Sequence, residues 1–187
     1  MEVFYLANKY MAPSLADKCR EYLEDHLDAS NVFSILPMVV KYEEKELVDK
    51  CWKVIDEHAD EAVKSEEFTT IEHSLLEAVV KRDTLDINEI ELFKAVDLWA
   101  KRKCEKQGGA NGEAKRRILG ETVVKAIRFP LMKEQEFAAV VLDTKILTYD
   151  EVLYFFKFFI SASGTPIGFS SELRGTFTSC DHCDKEL

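Results

Sequence analysis

The sequence predicts an all-α protein of roughly nine helices, and three observations point that way. Apolar residues recur at steps of three or four along most of the chain, most clearly at Leu47, Val48, Cys51, Trp52, Ile55, Ala59 and Ala62. The 187 residues contain only 7 Gly and 4 Pro, too few for a β-sandwich, which needs a turn signal roughly every 8–12 residues. Hydrophobic residues make up 47% and charged residues 32%, enough to fill a core and still solvate the outer helix faces.

Val3, Phe4, Leu6, Ala7, Tyr10 and Met11 form the first helical stripe. No capping residue precedes it, so the chain is expected to begin inside a larger domain. Pro13 opens the second helix, where its missing N–H costs nothing; its apolar face is Leu15, Ala16, Cys19, Tyr22, Leu23 and Leu27. Ser30 is the expected N-cap of the third, which carries Val32, Phe33, Ile35, Leu36, Val39 and Val40. Pro37 lies within it and is expected to bend or shorten it. Residues 43–63 form the clearest amphipathic helix, with Lys50, Lys53, Asp56 and Glu57 opposite the apolar face.

Thr70 is the expected cap of a short helix bearing Leu75, Leu76, Val79 and Val80. Asp86 and Glu89 have capping-box spacing and open a long helix with Ile90, Phe93, Val96 and Trp99. Residues 107–112 read as a loop. The next helix carries Ile118, Leu119, Val123 and Ile127 and stops at Phe129-Pro130. Short helices are expected near 133–142 and 149–160, the second capped by Thr148 and Glu151. That last helix is apolar nearly all round, at Val152, Leu153, Phe155, Phe156, Phe158, Phe159 and Ile160, so it needs cover on more than one side. Beyond Ser161 the composition turns to Ser, Gly and Thr and reads as a linker or frayed tail. Trp52 and Trp99 read as core anchors.

Several functions are disfavoured. The net charge of −10 repels a phosphate backbone, so no nucleic-acid partner is expected. The short run Lys115-Arg116-Arg117 lies between Glu113 and Glu121 and reads as a solvated helix face. No run of about 18 apolar residues occurs, so no membrane span is expected. The first residues lack a secretory leader's basic and apolar regions. Cys19, Cys51 and Cys104 sit at apolar helix positions, as small buried hydrophobes do in a reducing, cytoplasmic setting. The chain ends Asp184-Lys185-Glu186-Leu187, which is not the retention order for the endoplasmic reticulum.

Cys180-Asp181-His182-Cys183 supplies half of a tetrahedral zinc site. No second Cys/His pair accompanies it, and His26, His58 and His73 are isolated on charged faces. Structural thiols are therefore favoured over a shared metal site or a redox pair, and no metal or cofactor is expected. No G-x-S-x-G turn or Gly-rich phosphate loop is present, and the carboxylates single out no acid–base pair. The chain does not read as an enzyme.

A set of ordered strings resembles the BACK domain of BTB–BACK proteins. They are Tyr5-Leu6-Ala7-Asn8-Lys9-Tyr10, Ala29-Ser30-Asn31-Val32, Cys51-Trp52-Lys53-Val54-Ile55-Asp56, Lys64-Ser65-Glu66-Glu67-Phe68, Arg82-Asp83-Thr84-Leu85, the run from Leu92 to Ala100, and Ile127-Arg128-Phe129-Pro130-Leu131-Met132. They span residues 3–160, and the likeness is nearest to the subgroup that carries a C-terminal PHR β-sandwich. The resemblance implies stacked antiparallel helix pairs. Residues 1–28 correspond to the last helices of a BTB domain, 29–63 to the 3-box helical pair and 64–160 to the rest of BACK. Residues 161–187 would lead toward a C-terminal domain absent from this chain.

In such proteins the BTB and 3-box bind cullin-3, the BTB forms a homodimer, and the C-terminal domain selects a protein substrate for ubiquitin transfer. The resemblance thus implies a non-catalytic adaptor that separates these ends. Its candidate cullin groove is Asn31, Val32, Phe33, Ile35, Leu36 and Val39, with Pro37 departing from the usual pattern. The alternative is a BTB–BACK scaffold outside any ligase, which holds partners through Phe155 to Ile160.

Overall fold

The computed structural model describes residues 2–10, 12–105, 109, 111–161 and 168–174. Nine α-helices of six or more residues are present among them: α1 (Glu2–Lys9), α2 (Pro13–Asp25), α3 (Val32–Lys41), α4 (Lys45–Glu57), α5 (Ala59–Lys64), α6 (His73–Val80), α7 (Glu89–Glu105), α8 (Gly112–Ala126) and α9 (Tyr149–Ser161). No strand occurs among the described residues. Chain neighbours pack as hairpins, α1 on α2, α3 on α4 and α7 on α8, and α6 lies against α8. Short connections produce this pairing, because a few residues can only reverse the chain. One contiguous apolar core runs through the whole set, from Phe4 in α1 to Phe169 near the end.

The helix ends explain where the elements stop. Asp28, rather than Ser30, caps the entry to α3. Its carboxylate accepts the N–H groups of Ser30 (2.8 Å) and Asn31 (3.1 Å), and the Asn31 amide oxygen accepts the Asp28 N–H at 3.1 Å. This is a reciprocal box that starts two residues earlier than the sequence predicts. The Ser30 hydroxyl also donates to Asp28 and holds its carboxyl below the ordinary range. α3 continues past Pro37 to Lys41, and Pro37 itself sits on the exposed side.

After Lys41 the chain reverses in a Schellman turn. Glu44 N–H bonds the Val39 carbonyl and Glu43 N–H bonds the Val40 carbonyl. Glu43 takes φ 58° there, a conformation that favours glycine. The buried face of α4 is Leu47, Cys51 and Ile55, as the periodicity predicts. The stretch 43–63 is nevertheless two helices, broken at His58 (φ −124°, ψ 36°). Thr70 does not cap α6; its hydroxyl donates to the Glu67 carbonyl inside a 3-10 turn.

The expected box between Asp86 and Glu89 does not form either. The Asp86 N–H bonds the Asp56 carbonyl at 2.9 Å, and the Glu89 carboxylate instead accepts the Arg128 N–H at 3.1 Å and the Arg174 guanidinium. α8 is kinked at Gly120 (φ 72°, ψ 161°). His73 of α6 hydrogen-bonds the freed Leu119 carbonyl at 2.8 Å. Gly112 begins α8 so close to the Lys145 backbone that a Cβ would overlap its carbonyl.

Residues 134–144 contain a π-helical stretch, Phe137–Val141, which packs Phe137 against Phe129 and Phe155. α9 starts with the predicted box: Thr148 N–H to Glu151 (2.8 Å) and Glu151 N–H to the Thr148 hydroxyl (3.3 Å). Within the stretch read as linker, residues 168–174 lie against the bundle, with Phe169 buried.

Three outcomes follow from these ends. Glu43→Gly should raise stability by about 1 kcal/mol in urea unfolding, since it relieves a left-handed residue with a side chain. Gly112→Ala should cost about 1–3 kcal/mol in the same assay. The third concerns acid. Burial pushes the Glu151 carboxyl up, but bonds from Arg116 (2.6 Å) and Thr148 outweigh it and hold the carboxyl below its ordinary 4.5. A depressed folded value stabilises above the unfolded one and is lost as pH falls through it. The stability gap between wild type and Glu151→Gln should therefore narrow as pH falls below 4.5.

Candidate functional site

α3 lays the six predicted groove residues along one stripe. Five of them, Val32, Phe33, Ile35, Leu36 and Val39, face inward and are buried in the core. Phe33 packs on Phe68 with ring centres 5.2 Å apart. Asn31 sits at the helix entry and donates from its amide to the His26 carbonyl at 2.7 Å. The stripe is thus brought together, and its apolar part is the inner wall of the α3–α4 hairpin.

The outer side of the same hairpin carries a shallow cleft. It is lined by Val40, Glu43, Lys45, Val48 and Asp49, and Val40 is 53% exposed. Val40 lies one step of about 100° past the buried Val39, at the edge where α3 leaves the core. A second cleft, between α1 and α2, is lined by Val3, Phe4, Lys18, Cys19, Tyr22 and Leu23.

Charged side chains are mostly engaged. Arg82 binds Asp56 of α4 through two bonds of 2.7 and 2.6 Å and lies 4.5 Å over the Trp52 ring. Trp52 is therefore half-buried under a guanidinium, whereas Trp99 is a true core anchor whose indole N–H reaches the Ile71 carbonyl at 3.0 Å. The run Lys115-Arg116-Arg117 is not one solvated face. Lys115 is buried against Asp97 (2.6 Å), and Arg116 joins Glu121 and Glu151. Packing of α8 on α7 and beside α9 draws both inward.

Burial pushes the Cys51 thiol up to about 11 and also raises that of Cys104, which leaves both mostly as unreactive thiols at neutral pH. Cys180, His182 and Cys183 lie outside the described residues. Among the described residues, no group of three or more His, Cys, Asp and Glu is arranged to hold a metal ion. No described helix is long and apolar enough to cross a membrane.

Helical hairpins on one continuous core, with a shallow cleft on each of the α1–α2 and α3–α4 hairpins, define an all-helical scaffold. The BACK family model, described as BTB And C-terminal Kelch, matches residues 32–142. The chain belongs to the BACK family. It is 35% identical over 175 residues to the human protein named BTB/POZ domain-containing protein 3, covering 93% of this chain and 33% of that protein. Identity to BTB/POZ domain-containing protein 6 of Xenopus tropicalis is 36% over 170 residues, covering 90% and 32%. For protein 6-B of Danio rerio it is 35% over 179 residues, covering 95% and 37%. The chain thus spans about a third of the length of these relatives.

The two sides of α3 should respond differently to truncation. Phe33→Ala should cost about 3–5 kcal/mol in urea unfolding, as a buried aromatic does. Val40→Ala should change stability by about 0.5 kcal/mol or less. Equal losses at the two positions would contradict the assignment of inner and outer faces.

Proposed function

We propose that this chain is the non-catalytic linking segment of a cytoplasmic cullin-3 ubiquitin ligase adaptor. In this reading the α3–α4 hairpin extends a cullin-3-binding BTB domain, and the C-terminal end leads to a domain that recognises the protein substrate. The observation that carries the spacer role is the single core joining α3 and α4 to residues 168–174. A continuous close-packed interior transmits position rigidly, so two domains attached at its ends keep a fixed separation. Membership of the BACK family and likeness to proteins named for a BTB/POZ domain support the placement. Homodimerisation would come from the BTB domain.

The cullin contact would be divided between two layers. Val32, Phe33, Ile35, Leu36 and Val39 set the floor from inside, and Asn31 fixes the entry to α3. Val40 and Val48 would present the apolar contact, with Glu43, Lys45 and Asp49 at its edge. With the chain joined to its BTB domain, Val40→Asp and Val48→Asp should each weaken cullin-3 binding about tenfold in calorimetry, the cost of about 1.4 kcal/mol. They should have no such effect on a cullin-3 lacking its N-terminal extension. Unchanged affinity for intact cullin-3 in both variants would remove the cleft from the interface.

A second reading, a scaffold that oligomerises outside any ligase, is favoured by one observation. Phe155, the first residue of the stretch expected to hold partners, is fully buried, and the exposed apolar positions of α9 are Tyr149, Leu153 and Ile160, at 79%, 42% and 78%. Light scattering that shows concentration-dependent association, abolished by Ile160→Asp, would favour this scaffold.

A further inference from the structure

Residues 168–174 are anchored at both ends, although their composition is that of a linker. Gly168 turns the chain at φ 82°. Phe169 then enters the aromatic cluster, with ring centres 5.6 Å from Phe129 and 5.0 Å from Phe155. The Arg128 guanidinium donates to the Glu172 carbonyl at 2.7 Å and also pairs with Asp83. Leu173 points outward.

The far anchor is Arg174. Its guanidinium donates to the Glu89 carboxylate, to the Arg82 carbonyl at 2.5 Å and to the Ala126 carbonyl at 2.8 Å. The Arg174 and Glu89 side chains are only 2% and 5% exposed. Ala126 is the last residue of α8, and Arg82 follows the end of α6 at Val80. The Ala126 carbonyl, at the helix end, lacks a helical donor and carries the negative end of the helix dipole. Two carbonyls and a carboxylate converging on one point match the planar fork of guanidinium N–H groups, and an ammonium is a poorer fit for three acceptors fixed in this way.

We propose that Glu89, with the Arg82 and Ala126 carbonyls, forms a guanidinium-receiving site filled in cis by Arg174. Docking of the 168–174 strap then fixes the position of residue 174 on the helical body. The receptor is itself tied to α4, because the same Arg82 that offers its carbonyl to Arg174 grips Asp56 with its side chain. This inference goes beyond the adaptor reading and holds whether or not cullin-3 is the partner.

Trypsin tests it, since it cuts after Arg and Lys but needs an open segment. In the full 187-residue chain, cleavage after residue 174 is followed by mass spectrometry against cleavage after Lys185. Wild type should be cut slowly after Arg174. Arg174→Lys keeps a trypsin site but loses the fork, and cleavage there should rise about tenfold or more, tracking the open population. Phe169→Ala should raise it comparably from the other anchor while helical circular dichroism stays unchanged. Both variants leave Glu89 and its bond to the Arg128 N–H intact, so a folding defect at that helix start does not enter. Wild-type cleavage as fast as in Phe169→Ala would overturn docking of the strap. Protection of Arg174→Lys equal to wild type would overturn the guanidinium site.

Discussion

Phe129 is the residue on which the C-terminal half depends. Its ring meets Phe93 of α7 at 5.5 Å, Phe137 of the π-helical stretch at 6.1 Å, Phe155 of α9 at 5.5 Å and Phe169 of the strap at 5.6 Å. Four segments, from α7 to the strap, thus share one fully buried ring. Edge-on and tilted aromatic contacts each contribute about 0.5–1.5 kcal/mol beyond their buried area. Pro130 makes the position possible: with Phe129 it starts a 3-10 turn just past α8, which returns the chain toward α7 instead of prolonging the helix.

Apolar clustering stabilises but does not aim, because the hydrophobic effect has no direction. The ionic and hydrogen-bonded contacts around Glu89 supply direction in this region. Glu89, Arg128 and Arg174 connect the start of α7, the turn after α8 and the strap, and Arg82 extends the connection to α4. A buried pair of this kind adds little net stability over a well-packed apolar replacement. Its consequence is registry between α7, the turn after α8 and the strap. Stability from the phenylalanines and alignment from the charged groups therefore divide the work of holding the strap in place relative to the α3–α4 hairpin.

What the sequence made legible were features encoded by local periodicity. The face of Leu47, Cys51 and Ile55, the box at Thr148 and Glu151, and the all-helical class all follow from spacing alone. The break at His58 and the kink at Gly120 were hidden, since neither interrupts the apolar pattern. Glu89 looked like half of a capping box because its real partners lie 39 and 85 residues away. The stripe from Val32 to Val39 was legible as apolar, but periodicity does not say whether a face is covered by its own chain or by another. The cleft at Val40 and Val48 joins two helices across a turn, and only the Schellman geometry at Glu43 brings those two residues together. The one sequence hint of the strap was an aromatic and an arginine five residues apart in a tail otherwise built largely of small and polar residues.

The central claim is that the body from α3 to the strap is one rigid unit. Spin labels at Val40→Cys and Leu173→Cys, both exposed positions, report this directly by electron–electron double resonance, with Cys19, Cys180 and Cys183 replaced by serine. A single narrow distance distribution is predicted, unchanged when the BTB domain is joined to the chain. A broad or multiple distribution in the folded protein would contradict the account.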